Sequence, residues 1–256
     1  MNPLPITFYL GVAFLVFIIG LYILLAKRNI LRIVLGIETM LSGCNLAKIG
    51  KSCPWCDTKD AQKVVESFRF GNKYYRNPVD VKTVDKILST ISDSTVHSIS
   101  LTGGEPLVYA DFIVELIKEV DHRYYLETNA TLPKMAEKVS DLIHYASCDI
   151  KDTSTCRIGR KILEKEFLTL KIFIDSGVKA FSKVVVTEDT EKEVIENIAR
   201  RVSEIGVPLV LQPAMNGKKI LISWDRLYEL ADIATEHIDI EMFSFSFQMQ
   251  KLLSIK

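Results

Sequence analysis

From residue 96 onward the chain alternates short, β-rich apolar runs with longer stretches of helical period, and no other feature constrains its fold as tightly. The apolar runs are VHSISL (96–101), RYYLET (123–128), HYASCDI (144–150), KAFSKVVVT (179–187) and VPLVLQP (207–213). Between them lie FIVELIKEV (112–120), KMAEKVSDLI (134–143), ILEKEFLTLKIFIDSG (162–177) and EKEVIENIARRVSEIG (191–206), with WDRLYELADIATEH (224–237) following as a further helix. Regular strand–helix alternation predicts a parallel sheet with helical crossovers, either a barrel or an open doubly wound sheet. The period-two stripe Phe243, Phe245 and Phe247 predicts one buried strand face. Residues 57–94 read as the link into this alternation.

In a barrel, chemistry gathers where strands end at their carboxyl side, and three polar motifs fall there. LTGGEP (101–106) places two glycines and Glu105 directly after a strand. Glycines let a ligand approach the backbone closely, and a carboxylate can accept from an amino group. Glu127-Thr128-Asn129 ends the next strand; it reads either as a site carboxylate or as a capping turn before Pro133. Asp149 and Lys151 end the third, as a surface ion pair or as ligand contacts. Lys+Arg and Asp+Glu are equal at 32 each, so no broad basic field points to nucleic acid.

Three of the five cysteines, Cys44, Cys53 and Cys56, crowd into GCNLAKIGKSCPWCDT (43–58), with eight and then two residues between them. Three thiolates do not close a tetrahedral zinc site; Cys148, Cys156 or a histidine would have to supply the fourth ligand. A 4Fe–4S cluster held by three cysteines instead keeps one iron open to a small molecule. The thiols alone leave both metals in play. Cys148, alternating with Asp149, reads as an apolar filler, and Cys156 as part of an exposed loop.

A three-cysteine loop ending in C-D-T, followed by GGEP at the end of a strand, resembles the radical S-adenosylmethionine (SAM) superfamily. Further motifs, YLETNA (125–130), SCDIKD (147–152), KVVVT (183–187), LQPAM (211–215) and a terminal Q-x-x-K-LL, are similar to the 7-carboxy-7-deazaguanine synthase family within it. The resemblance runs from about residue 41 to 256. It implies a partial (β/α)6 TIM-like barrel over residues 43–256 and a lyase that contracts a pterin-like substrate, 6-carboxy-tetrahydropterin, into a deazaguanine of the queuosine and archaeosine pathways. It also implies a 5′-deoxyadenosyl radical, Mg2+, and a reductase, flavodoxin or ferredoxin as electron donor. Carried over residue by residue, Cys44, Cys53 and Cys56 hold the cluster and Thr58 contacts magnesium. Gly103, Gly104, Glu105, Asp149 and Lys151 bind SAM, while Thr102 and Glu127 contact substrate. A homodimer is common among such barrels.

The first 42 residues belong to a different pattern. Residues 6–26, ITFYLGVAFLVFIIGLYILLA, carry no charge, and about 20 apolar residues suffice to cross a bilayer. A secretory signal would show a basic start, a shorter apolar run and a small-residue cleavage site. Lys27, Arg28 and Arg32 follow at once, which predicts an N-terminus outside and a catalytic domain tethered on the cytoplasmic side. KRNILRIVLGIETML resembles the start of the K subunit of respiratory complex I, with Glu38 at the position of that family's intramembrane glutamate.

Two departures from the synthase pattern are visible. Aligned on Gly43-Cys44-Asn45, Met40 stands where the family has arginine, with Thr39 and Glu38 before it. At the other end Phe247, Gln248, Met249, Gln250 and Lys251 lack the family's proline and histidine. Both fall on the substrate side. Besides the enzyme, these departures admit a joined or truncated reading frame with an impaired substrate site that retains at most cluster and SAM binding, or a zinc-binding membrane-associated module.

Overall fold

The computed structural model describes residues 44–48, 56, 66–70, 72–90, 96–156 and 158–253. The predicted membrane span, the complex I-like segment, Cys53 and Thr58 lie outside the described residues. Among those described, no helix is long and apolar enough to cross a membrane.

Ten strands are described. β1 (Ser67–Phe70) and β2 (Lys73–Arg76) form an antiparallel hairpin, held by Phe68 stacked on Tyr75 at 5.4 Å. Then come β3 (Ile99–Leu101), β4 (Tyr124–Thr128), β5 (Tyr145–Asp149), β6 (Lys179–Val186) and β7 (Leu209–Pro213). A small hairpin of β8 (Met215–Asn216) and β9 (Lys219–Ile220) follows, and β10 (Phe243–Phe245) closes the series. The described helices, in chain order, are α1 (Asn45–Lys48), α2 (Val81–Ser89), α3 (Ala110–Glu119), α4 (Pro133–Val139), α5 (Thr153–Cys156), α6 (Arg160–Asp175), α7 (Lys192–Ile205), α8 (Trp224–Thr235) and α9 (Met249–Leu252).

The main sheet has six strands in the order β10-β7-β6-β5-β4-β3, all parallel. Parallel neighbours need a crossover connection, and a helix lies in each. The order never reverses, so the sheet has no switch point of the doubly wound kind. It is singly wound, which leaves the barrel-like alternative standing.

Register explains how one sheet carries both core and chemistry. Leu101, Leu126, Cys148, Val184 and Leu211 fall on one face, and each is fully buried. The residues one step along, Ser100, Glu127, Asp149, Lys183 and Gln212, point to the other face, where all but Ser100 keep partial exposure. Because side chains alternate strictly along a strand, the apolar positions could not be buried without presenting this polar set on the opposite face. Helix α7 ends on Gly206, whose φ of 78° suits a residue without a Cβ.

Several expectations need correction. The link at 57–94 contains a hairpin and the helix α2, whose N-cap Asp80 accepts from Thr83 N at 2.7 Å. Cys156 is buried, not exposed, because α5 folds back under Asp152. Thr128 and Asn129 do not cap the following helix: its N-cap is Leu132, without a side-chain hydrogen bond, and Pro133 occupies the first turn. Phe243 and Phe245 do share a strand, but they and Phe247 are half-buried. The three rings meet Trp224 and Tyr228 of α8 in a chain of aromatic contacts, Phe243 through its edge-on contact with Phe245.

Candidate active site

Gly103 sits at φ 144° immediately after β3, a backbone state that L side chains avoid, and it turns the chain so that Glu105 points back into the protein. Glu105 is fully buried and caps a short 3-10 turn, Pro106–Tyr109. Its Oε1 accepts from Leu107 N at 3.1 Å and from Thr128 Oγ1 at 2.6 Å, and its Oε2 accepts from Asn129 N at 2.7 Å. A carboxylate offers about four lone-pair sites, so roughly one, on Oε2, is left for a ligand. Burial raises the carboxyl to about pKa 7 despite these three donors.

Asn129 ties the next element in. Its Nδ2 donates to Asn45 Oδ1 at 2.9 Å. Its Oδ1 accepts from Thr131 N at 3.1 Å and from Thr131 Oγ1 at 2.6 Å. Asn45 Nδ2 in turn donates to Thr131 Oγ1 at 2.8 Å. Asn45 follows Cys44, whose carbonyl accepts from Lys48 N at 3.3 Å to close the single turn of α1. The first cysteine is therefore held at the carboxyl end of β4, next to the strand end that Glu105 engages.

The polar face of the sheet carries an ion network beside this corner. Asp149 pairs with Lys183 Nζ at 3.0 Å and with Lys151 Nζ at 3.3 Å. Burial alone would raise the Asp149 carboxyl, but the two ammonium groups hold it below the usual carboxylate range. The same pairing raises Lys183. Glu127 lies along the network, with Ser100 Oγ donating to it at 3.4 Å; burial raises its carboxyl against the pull of Lys183. Lys151 is also fixed through its backbone, whose N–H donates to the buried Glu166 at 3.0 Å. At the sheet's other end, Lys251 Nζ donates to Met215 O at 3.1 Å and fastens α9 to the chain beyond β7.

The donor chemistry fits an iron–sulfur centre. Cys44 and Cys56 are both half-buried, an exposure compatible with thiolates at a site mouth. Cys148 is wholly buried in the core, and burial raises its thiol well above the ordinary value, which disfavours the ligating thiolate. His97, His122 and His144 precede β3, β4 and β5, at the end of the sheet opposite Asn45. Among the described residues no histidine or buried cysteine stands ready to complete a zinc site with Cys44.

Of the residues expected from sequence, Thr102, Gly103, Gly104, Glu105, Glu127, Asp149 and Lys151 all lie at the carboxyl ends of β3, β4 and β5. From sequence, Asn45, Thr131 and Lys183 carry no expected role, and Thr128 and Asn129 only that of a capping turn. Lys183 had a readable signal, since the predicted strand alternation puts it on the face of its apolar neighbours' opposites. The amide and hydroxyl contacts had none.

This arrangement defines a class. A family model described as the radical SAM superfamily matches residues 39–202. The chain belongs to that superfamily and is a radical SAM enzyme. Relatives named 7-carboxy-7-deazaguanine synthase include those of Methanothermobacter thermautotrophicus and Thermococcus kodakarensis, each 31% identical over 84% of this chain and 87% of the relative. That of Geobacter sulfurreducens is 29% identical over 77% of this chain and 81% of its own. Within the superfamily the chain belongs with these synthases. A Streptococcus suis protein, SuiB, solved bound to S-adenosylmethionine, shares the fold at a TM-score of 0.54 and 19% identity, covering 80% of this chain and 45% of that one. A second model, NADH-ubiquinone/plastoquinone oxidoreductase chain 4L, matches residues 8–55.

Proposed function

We propose that this enzyme carries out the ring contraction named by its relatives, converting 6-carboxy-tetrahydropterin to 7-carboxy-7-deazaguanine. The observation that carries the reading is Asn129, which meets Glu105 through its backbone and the cysteine loop through its side chain. One residue thus brings together the two motifs on which a cluster and SAM would depend. Cys44, Cys53 and Cys56 are the cluster ligands in this reading, and Thr58 the magnesium contact. A bound 4Fe–4S cluster supplies the electron that cleaves the SAM sulfonium bond and yields the hydrogen-abstracting radical.

The chain's own groups do the rest. The Gly103-Gly104 turn offers main-chain oxygens to the SAM amino group, and Glu105 holds that turn through its buried hydrogen bonds. Asp149 and Lys151 meet the ribose or carboxylate end of SAM. Glu127, its carboxyl raised by burial, and Thr102 orient the pterin-like ring by accepting from or donating to ring nitrogens. The six parallel strands form a partial (β/α)6 barrel over residues 43–256, and a reductase, flavodoxin or ferredoxin reaches the cluster from the loop side. Residues 1–42 form a separate segment that tethers the enzyme to a membrane with the barrel in the cytoplasm; a homodimer completes the assignment.

The test is electron paramagnetic resonance on anaerobically purified, dithionite-reduced protein, with and without SAM. A 4Fe–4S signal that shifts with SAM, with formation of 5′-deoxyadenosine and the deazaguanine when substrate is added, is expected. A sample holding only zinc would sink the reading. Cluster and SAM response without turnover of the pterin would favour the joined-frame alternative, for which the replaced residues around Met40 and the altered end at 247–251 are the specific observation. Membrane fractionation of the full chain against a chain starting at Lys27 tests the tether.

A further inference from the structure

Asn45, Asn129 and Thr131 form a closed ring of hydrogen bonds. Asn129 Nδ2 donates to Asn45 Oδ1, Thr131 Oγ1 donates to Asn129 Oδ1, and Asn45 Nδ2 donates to Thr131 Oγ1, at 2.9, 2.6 and 2.8 Å. Every member gives one bond and receives one, so the ring fixes both amide orientations and the hydroxyl rotor at once. Reversing either amide would put donor against donor and acceptor against acceptor. Bonds that run in one direction around such a circuit also polarise one another.

The ring's position gives it a consequence. Asn45 is the residue after Cys44, and α1 holds only one turn, which this ring and the buried side chain of Leu46 fix among the described residues. On the other side Asn129 N is bound to Glu105 Oε2, and Thr128 Oγ1 to Glu105 Oε1. Asn129 is buried and Thr131 is buried, whereas Asn45 keeps partial exposure. The circuit is therefore a bracket between the GGEP turn and the first cysteine.

We infer that Asn45, Asn129 and Thr131 are positioning residues for the radical reaction, setting where the cluster sits relative to SAM. This rests on the cluster assignment made above. None of the three touches the reacting atoms; they act through Cys44 and through the turn held by Glu105. Loss of the ring leaves the cysteines able to take up iron but loosens the register between the open iron and the amino and carboxylate groups that chelate it.

The test compares Thr131→Val, which keeps the side-chain shape and removes the hydroxyl, with Thr131→Ser, which keeps the hydroxyl. Asn45→Ala breaks the same ring from its half-exposed side without opening the core. Each protein is reconstituted anaerobically, and iron content, melting temperature, SAM affinity and the SAM-induced change in the reduced cluster's resonance are measured. Wild-type iron content is expected throughout. SAM affinity should fall roughly three- to tenfold in Thr131→Val and Asn45→Ala, the equivalent of one hydrogen bond. The SAM-induced spectral change should be diminished in both and retained in Thr131→Ser. Unchanged affinity and spectral response in a folded Asn45→Ala protein overturns the inference while leaving the enzyme reading intact. A wild-type protein without a SAM-responsive cluster overturns both.

Discussion

Ala130 holds φ at +56° with its methyl group fully buried, a left-handed state that costs an L-residue about 1–2 kcal/mol. The strain has a visible reason: Ala130 N must turn to donate to Thr128 Oγ1 at 3.0 Å while Asn129 and Thr131 on either side close the ring to Asn45. Glycine relieves the strain and gives back about 0.5–1 kcal/mol in chain entropy. With the lost burial of the methyl, worth about 0.8 kcal/mol, Ala130→Gly is expected to change stability by less than about 1 kcal/mol, whereas the β-branched Ala130→Val should lose at least about 2 kcal/mol; denaturant midpoints decide. Glu105 gives a second prediction. Its carboxyl lies near pKa 7 in the folded chain against an ordinary 4.5, so protonation favours folding. That contribution is complete below about pH 4.5 and declines as pH rises to about 7, by roughly 3 kcal/mol at about 1.4 kcal/mol per unit. Urea unfolding of the wild type and Glu105→Gln at pH 5 and pH 7.5 should show the wild type losing this increment and the variant keeping a flatter profile. Equal pH profiles would count against a raised Glu105.

Strands β5 and β6 place Asp149 opposite Lys183 in register, and Lys151 follows two residues later. Removing the carboxylate takes away the anion that Lys183 and Lys151 share in a largely buried setting and leaves Glu127 as a further nearby carboxyl for Lys183. Breaking one partner of such a pair typically costs about 3–5 kcal/mol, while replacing the pair costs far less. Asp149→Asn should be destabilising by an amount in that range, and Asp149→Asn combined with Lys183→Met should recover a substantial part; additive losses in a double-mutant cycle would show that the groups do not interact. Much of this element-level architecture was legible in advance. The five apolar runs fall on β3 to β7 with ends displaced by a few residues, because burial on one face forces period two. The hairpin at 67–76 and helix α2 were not seen, although α2 had a readable signal: Val81, Val84, Ile87 and Leu88 recur at helical spacing behind the N-cap Asp80. In the site, the strand-end residues could be read because motif and strand end coincide. The Asn45–Asn129–Thr131 ring could not, since amides and hydroxyls carry no periodicity and meet across 84 to 86 residues of sequence.

At the scale of the molecule, β10 completes the sheet with only three residues, pairing Phe243 with Leu209 and Phe245 with Leu211. Both leucines are fully buried, and α9 is latched beyond them through Lys251 and Met215 O. Ending the chain at Asp239 should strip this cover, lower the melting temperature and leave β7 as an open edge prone to pairing with other chains. Calorimetry and size-exclusion chromatography check it; a monomer of unchanged melting temperature would show that β10 is dispensable.

The ring around Asn45 lies where two family matches meet on one chain. The chain 4L match ends at residue 55 and the superfamily match begins at residue 39, so the two overlap over a stretch that includes Cys44. Among the described residues, the fastening of that cysteine's turn lies downstream of it, in Asn45, Leu46 and the loop after β4. A leading segment that differs only upstream of Cys44 therefore spares, among the described residues, every partner in the Asn45 ring.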